Sequence, residues 1–309
     1  MATAMPHPPP RDSHPVRRYS IGAAQFEPDT LTPGLYIVAT PIGNLGDITI
    51  RALATLAAAN VILCEDTRTT AKLLARYGIR TRLEAYHEHN ASKVRPGLLA
   101  RLKGNMAMAL VSDAGMPLVS DPGYRLAIEA RAQGTTVTCC PGPSAVFTSL
   151  ALSGLPTDRF GFFGFVPQKQ GERRRVWEEL KNLKATLIFF ESPHRIVAVL
   201  RDLATVLPDR TVVVARELTK LHEEVLRGQA SEIAETLATR ASVKGEITLL
   251  ISPPAEAQAV SEEDLNAAVA EAAKSMAASK AASELARRFK LNKKEAYARV
   301  VAAKGITNG

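Results

Sequence analysis

LYIVATPIGNLGDIT (35–49) sets a short, β-branched apolar run ahead of a Pro/Gly/Asn loop that opens a helix. Working outward, VILCED (61–66), MALVSD (108–113) and TVTCCP (136–141) repeat the plan, with helix-like segments between them. Continuous apolar strands alternating with helices predict a parallel sheet covered on both faces, so the first half reads as α/β. Past the join SGLPTDRFG come FGFFGFV (160–166), TLIFFES (186–192), TVVVARE (211–217), EVLRGQ (224–229) and EITLLIS (246–252). Their closer spacing predicts antiparallel pairing in a second α/β half.

The 309 residues, 46% hydrophobic and 23% charged, suffice for two domains of ordinary size. Cys64, Cys139 and Cys140 are odd in number and form no CxxC or secretory framework, which fits a reducing cytoplasm. No apolar run reaches the length of a membrane span. The start, MATAMPHPPPRDSHPVRRYS, lacks a signal peptide's apolar stretch, and residues 1–31 are expected to be a flexible tail. The expected domains are 32–153 and 154–253, with a linker at 254–261 and a basic helical module at 262–309.

The formal charge of +8 points to an acidic partner, and most of it sits at one end. From Lys274 onward nine Lys or Arg face two Glu. Three helical patterns, near 262–274, 279–289 and 292–303, make SKAASELARRFKLNKKEAYARVVAAK resemble a helix-turn-helix. Asn292 is expected to cap the last helix, with Arg287, Arg288, Lys290, Lys293 and Lys294 facing phosphates. A solvated lysine-rich tail is the alternative.

Ligands of open α/β sheets bind beyond the carboxyl ends of the strands. There lie ATPIGNLGDIT (39–49), VSDAGMPLVSDPG (111–123) and CCPGPSAV (139–146). The first is neither a GxGxxG nor a Walker A loop; its backbone N–H groups near Gly43 to Asp47 can meet a ligand closely, but a structural turn fits it better. Asp113 is placed to accept hydrogen bonds from a ribose or an ammonium, Asp121 with Pro122 fits a helix cap, and Ser144 fits either a ligand contact or a cap.

Together LYIVATPIGNLGDIT, EDTRTT, VSDAGMPLVSDPGY, PGPSAV, GLPTDRFGFFGFVP, ESPHRI and ARELTK resemble, in order, the ribosomal RNA small subunit methyltransferase I family, which groups with the tetrapyrrole-methylase-like enzymes. The resemblance runs from about Leu35 to the C terminus. Met116, where the family often has threonine, and the N-terminal tail depart from it. The resemblance implies two α/β domains with S-adenosylmethionine in the cleft between them, usually a homodimer, and 2′-O-methylation of a cytidine in the decoding region of 16S ribosomal RNA within the small subunit. It implies cofactor contacts at Pro41, Asp113, Ala114, Gly115, Pro117, Leu118, Ser120, Ser144, Ala145, Phe163 and Thr248, with Phe163 packed on the adenine.

A sulfonium donor needs no metal, but a ribose hydroxyl is a weak acid that benefits from a base or a charge-stabilising cation. EDTR supplies Glu65, Asp66 and Arg68, and ARELTK supplies Glu217 and Lys220; capping and structural ion pairs are the competing reading. His87 and His89 lack a third metal ligand and are expected in a loop lining the RNA cleft. Arg173, Arg174 and Arg175 form a candidate phosphate patch, as does Arg195, although helix faces and starts explain them equally. The rival functions are a precorrin-type tetrapyrrole C-methyltransferase and a catalytically silent RNA-binding protein.

Overall fold

The computed structural model describes residues 17–118, 123–255, 262–289 and 291–305. In chain order the first half comprises β1 (Tyr19–Ile21), β2 (Ala24–Phe26), β3 (Gly34–Val38), α1 (Ile50–Ala58), β4 (Val61–Cys64), α2 (Thr67–Arg76), β5 (Leu83–Ala85), α3 (Glu88–Lys103), β6 (Ala107–Leu110), α4 (Tyr124–Ala132), β7 (Val137–Cys140) and α5 (Ala145–Ser153). The second comprises β8 (Phe160–Phe165), α6 (Gln170–Leu180), β9 (Thr186–Glu191), α7 (Ile196–Val206), β10 (Thr211–Arg216), β11 (Glu224–Gln229), α8 (Ala230–Ala238) and β12 (Ile247–Ile251). A separate compact unit begins at Pro254 and carries α9 (Glu262–Ser275), α10 (Ala278–Phe289) and α11 (Lys293–Ala303).

The first sheet has strand order β5-β4-β6-β3-β7 and is parallel throughout. Its burial explains the unbroken apolar runs. Val61 and Leu63 of β4 enter a core with Leu99 and Leu126, whereas the alternate residues Ile62 and Cys64 enter another with Leu53 and Leu56. The second sheet, β11-β10-β12-β9-β8, is antiparallel except for the β8–β9 pair. One face packs Leu187, Phe189 and Leu249 under helices with Trp177. The other packs Ile188, Val213 and Leu250 against Ile42, Val146 and Leu150 of the first half, so the two halves share a core.

Part of the segment expected to be a flexible tail is folded. Residues 19–26 form an antiparallel hairpin turned at Gly22, whose φ of 61° suits glycine. Tyr19 is buried in the first-half core, Ser20 N–H donates to the Tyr77 carbonyl at 2.8 Å, and Arg17 donates to the Ala58 carbonyl. In the C-terminal unit Leu265, Ala281, Leu285, Ala296 and Val300 form the core. Asn292 Oδ1 accepts from the Lys294 N–H at 2.9 Å and so caps α11.

Candidate active site

The carboxyl ends of the first sheet meet the second half around a cavity of about 340 Å³. Ile42 and Ala145 contribute from the first half; Phe165, Phe190, Ala215, Leu218 and Thr248 are among those from the second. Its size and mostly apolar wall fit a cofactor with an aromatic base and an aliphatic arm. Small side chains at Ala145 and Ala215 leave the room.

Three loops frame it. Thr40 and Gly115 exchange backbone hydrogen bonds at 2.9 and 3.0 Å, which ties the loop holding Pro41 to the one holding Asp113, Ala114, Pro117 and Leu118. Gly115, at φ 78°, leaves a gap in which a Cβ would lie 3.3 Å from Ile42 Cγ2. The third loop follows β10, where Glu217 and Thr219 hold left-handed backbone at φ 52° and 65°. Non-glycine residues adopt this conformation at a cost, and such strain concentrates at functional sites. Asn44 N–H donates to Thr219 Oγ1 at 3.0 Å, so this strained turn is pinned to the first half.

The charged candidates separate by environment. Asp66 Oδ1 accepts from the Arg68 N–H at 2.8 Å as the cap of α2, and its carboxylate also pairs with the Arg68 guanidinium at 2.7 Å. The Arg68 hydrogen bonds hold the Asp66 carboxyl down at about 2. Glu65 behaves oppositely: burial, then the charge of Asp113 and least that of Asp66, push its carboxyl up, against a lowering by His87. Asp113 Oδ1 accepts from the Asp66 N–H at 3.0 Å, which joins the ends of β4 and β6. Lys220 Nζ lies 2.6 Å from Glu217 Oε1 and 3.2 Å from Glu246 Oε2. Its hydrogen bond lowers the Glu217 carboxyl; burial pulls Lys220 down, but the two glutamates outweigh that and raise it.

Ala145 and Thr248 therefore line the cavity, Pro41 and Ser144 adjoin lining residues, and the 113–118 loop abuts Ile42. Ser144 occupies the N-cap position of α5 without a side-chain cap bond, which leaves its hydroxyl free of that duty. Ser120 and Lys290 lie outside the described residues, as do Asp121 and Pro122. Phe163 does not line the cavity: its partly exposed ring stacks at 5.3 Å on Phe189 of the helix-covered core, and Phe165 stands at the cavity instead. A register shift between Phe162 and Phe165, with Gly164 at φ 71°, reverses the side-chain alternation. Phe165, Phe190 and Leu218 were missed. Only the apolar alternation around FGFFGFV and the ARELTK turn carried any signal for them.

Two expected phosphate contacts are also corrected. Arg173 is buried and binds Asp202 at 2.6 and 3.0 Å, with Arg174 sharing that carboxylate at 3.1 Å. Arg195 grips the buried Glu191 at 2.7 Å and donates to the Val166 carbonyl at 2.6 Å. Both arginines neutralise interior carboxylates. His87 starts α3 and His89 lies in its first turn, so this segment is a helix entry. Among the described residues no group of three His, Cys, Asp or Glu is arranged to hold a metal ion. In the C-terminal unit Arg287, Arg288, Lys293 and Lys294 are exposed, and the Arg288 guanidinium lies 5.1 Å from the Phe289 ring centre.

Residues 34–234 match the family model of tetrapyrrole (corrin/porphyrin) methylases. The chain is 48% identical over 285 residues to a ribosomal RNA small subunit methyltransferase I of Mesorhizobium japonicum, covering 92% of this chain and 97% of that protein. It is 46% identical to the protein of that name from Thermotoga maritima, over 71% of this chain and 97% of the relative. A diphthine synthase shares the fold at TM-score 0.56 and 16% identity, over 71% of this chain and 89% of the other. A uroporphyrin-III C-methyltransferase from Thermus thermophilus does so at 0.52 and 18%, over 71% and 94%. The chain thus belongs to the tetrapyrrole methylase family and, within it, to the ribosomal RNA small subunit methyltransferase I family.

Proposed function

We propose that the protein transfers a methyl group from S-adenosylmethionine to the 2′-oxygen of a cytidine in 16S ribosomal RNA of the small subunit, in the cytoplasm. The observation that carries this reading is the apolar cavity between the halves, lined by Leu218 and Glu246 beside the strained turn whose Lys220 pairs with Glu246. Bound there, S-adenosylmethionine supplies a methyl group already activated on sulfonium. Phe165, Phe190 and Thr248 form the wall that holds the cofactor, and Asp113 offers an exposed carboxylate to its polar groups.

The residues of the chain position the acceptor hydroxyl, exclude water and take up its proton. Glu65 is the proton acceptor in this scheme, since Asp66 is too acidic and Glu217 is committed to Lys220. Lys220 stabilises negative charge developing on the ribose oxygen. Arg68 keeps Asp66, the cap of α2, ionised. Arg287, Arg288, Lys293 and Lys294 bind RNA phosphates through the C-terminal unit, which gives the chain a use for basic helices that a tetrapyrrole acceptor would not need.

A second copy of the chain is the proposed partner. Phe147 (62% exposed) and Phe160 form an exposed apolar patch on α5 and β8, their rings 5.7 Å apart. Phe147→Glu should yield monomers in sedimentation if that face is used.

The test is methyl transfer from labelled S-adenosylmethionine to small subunits lacking the modification, followed by identification of the labelled nucleotide. Label on a cytidine 2′-oxygen is expected. No label in RNA despite cofactor binding would overturn the reading and favour a small-molecule acceptor.

A further inference from the structure

A second cavity, of about 810 Å³, opens at the opposite end of the first sheet. Asn60, just before β4, and Arg82, just before β5, mark it as the amino end of these parallel strands, whereas the candidate active site lies beyond their carboxyl ends. Arg17, Arg18, Arg80 and Arg82 line it, and among the described residues no carboxylate does.

The arginines are differently engaged. Arg17 is spent on the Ala58 carbonyl at the end of α1. Arg18 meets Glu27 at 3.0 Å and Arg82 meets Glu84 at 3.4 Å, both from outside the cavity and with the arginines 51% and 77% exposed. Such surface pairs are worth little and exchange readily for a stronger anion. Arg80 is exposed and has no ion-pair partner among the described residues. Ala57, Ala59 and Gly78 keep the floor low, so a bulky anion can approach. Among the described residues no aromatic side chain lines the cavity, so they offer no platform on which to stack a base.

Guanidinium groups without aromatic neighbours match phosphodiester oxygens and carry no base readout. Resting on the RNA reading above, we propose that this cavity is a second RNA-contact surface. It seats backbone phosphates of the substrate on the face away from the reacting nucleotide, chiefly through Arg18, Arg80 and Arg82. The hairpin of residues 19–26 then has a role beyond covering the core: it fixes the adjoining Arg18 at the groove and adds Ser20 and Gln25 to its wall. Seating the RNA at both ends of one sheet would fix its direction across the domain, which a contact at the cleft alone does not.

The test is equilibrium binding of the full chain to 16S ribosomal RNA across a salt series, with S-adenosylmethionine affinity measured on the same preparations. For the triple variant R18A/R80A/R82A, affinity should fall roughly 10- to 100-fold and the log–log salt slope should shrink by about two, at roughly 0.7–0.9 per phosphate lost. Cofactor affinity should be unchanged, which reports an intact fold. R80K/R82K should keep the wild-type slope, since lysine retains the charge. Wild-type RNA binding with an unaltered slope in the triple variant would overturn the groove and leave the methyltransferase reading intact. Failure of the wild-type chain to bind RNA would overturn both.

Discussion

Gly43 packs so closely on Lys220 that the Lys220 stem occupies the place of a Cβ, with Thr219 Oγ1 only 2.8 Å from that point. The loop after β3 and the turn after β10 are therefore fitted to each other through a glycine. Gly43→Ala should push the turn away, costing about 1–3 kcal/mol as an overpacking change. Thermal unfolding and a reduced transfer rate would register it; wild-type stability would show that the turn yields freely.

Lys220 is expected to act on the reaction more than on binding. Lys220→Met should lower the single-turnover rate by about 100-fold, the usual effect of removing one preorganised charge. Cofactor affinity should stay within about threefold, since the proposed target of that charge is the acceptor oxygen. An unchanged rate would reduce Lys220 to a structural partner of Glu217 and Glu246.

The two neighbouring carboxylates should part company under substitution. Glu65→Gln should cost about 100-fold or more in rate. In the wild type, activity should fall as pH drops through the raised Glu65 value, above the ordinary glutamate figure of about 4.3. The variant should lose that acidic limb. Asp66→Asn, which preserves a good cap, should retain most activity, whereas Asp66→Ala should lower the thermal midpoint by removing the cap of α2. A dead Asp66→Asn beside an active Glu65→Gln would reverse the assignment.

Ala215 is 1% exposed and lines the candidate cofactor cavity, so Ala215→Leu fills space there. Calorimetry should show S-adenosylmethionine affinity lowered at least about tenfold, or about 1.4 kcal/mol, with the circular dichroism of the fold retained. Full affinity would move the cofactor elsewhere.

Glu224 supplies a pH test of stability. It binds Arg240 at 2.7 Å and Arg216 at 3.1 Å, and these hydrogen bonds hold its carboxyl at about 2. A depressed folded value stabilises above the unfolded value, about 4.3, and that contribution is lost as pH falls from there through about 2. Glu224→Gln should be about 1–3 kcal/mol less stable near neutrality. The gap should close on acidification; a pH-independent gap would mean packing, not charge, was lost.

The sheet strands were legible because buried parallel strands write themselves as unbroken β-branched runs. β5 was not, being three residues, LEA, with one charged. The hairpin at 19–26 was hidden by polar and small residues and by the proline-rich stretch before it, although Tyr19 is its one buried hydrophobic residue. EDTR was ambiguous in principle, since an aspartate before a helix is written alike whether it caps or catalyses. Arg173 and Arg195 read as surface charge because their partners, Asp202 and Glu191, are brought to them only by tertiary packing or by one helical turn.

The register shift in β8 also bears on solubility. β8 closes one edge of its sheet, where an even row of unsatisfied amide and carbonyl groups would invite another chain to add a strand. The irregularity at Gly164 breaks that row, so indefinite ladder-to-ladder growth has no continuous template there. Any association on this flank must be made by side chains, which limits it to surfaces of complementary shape.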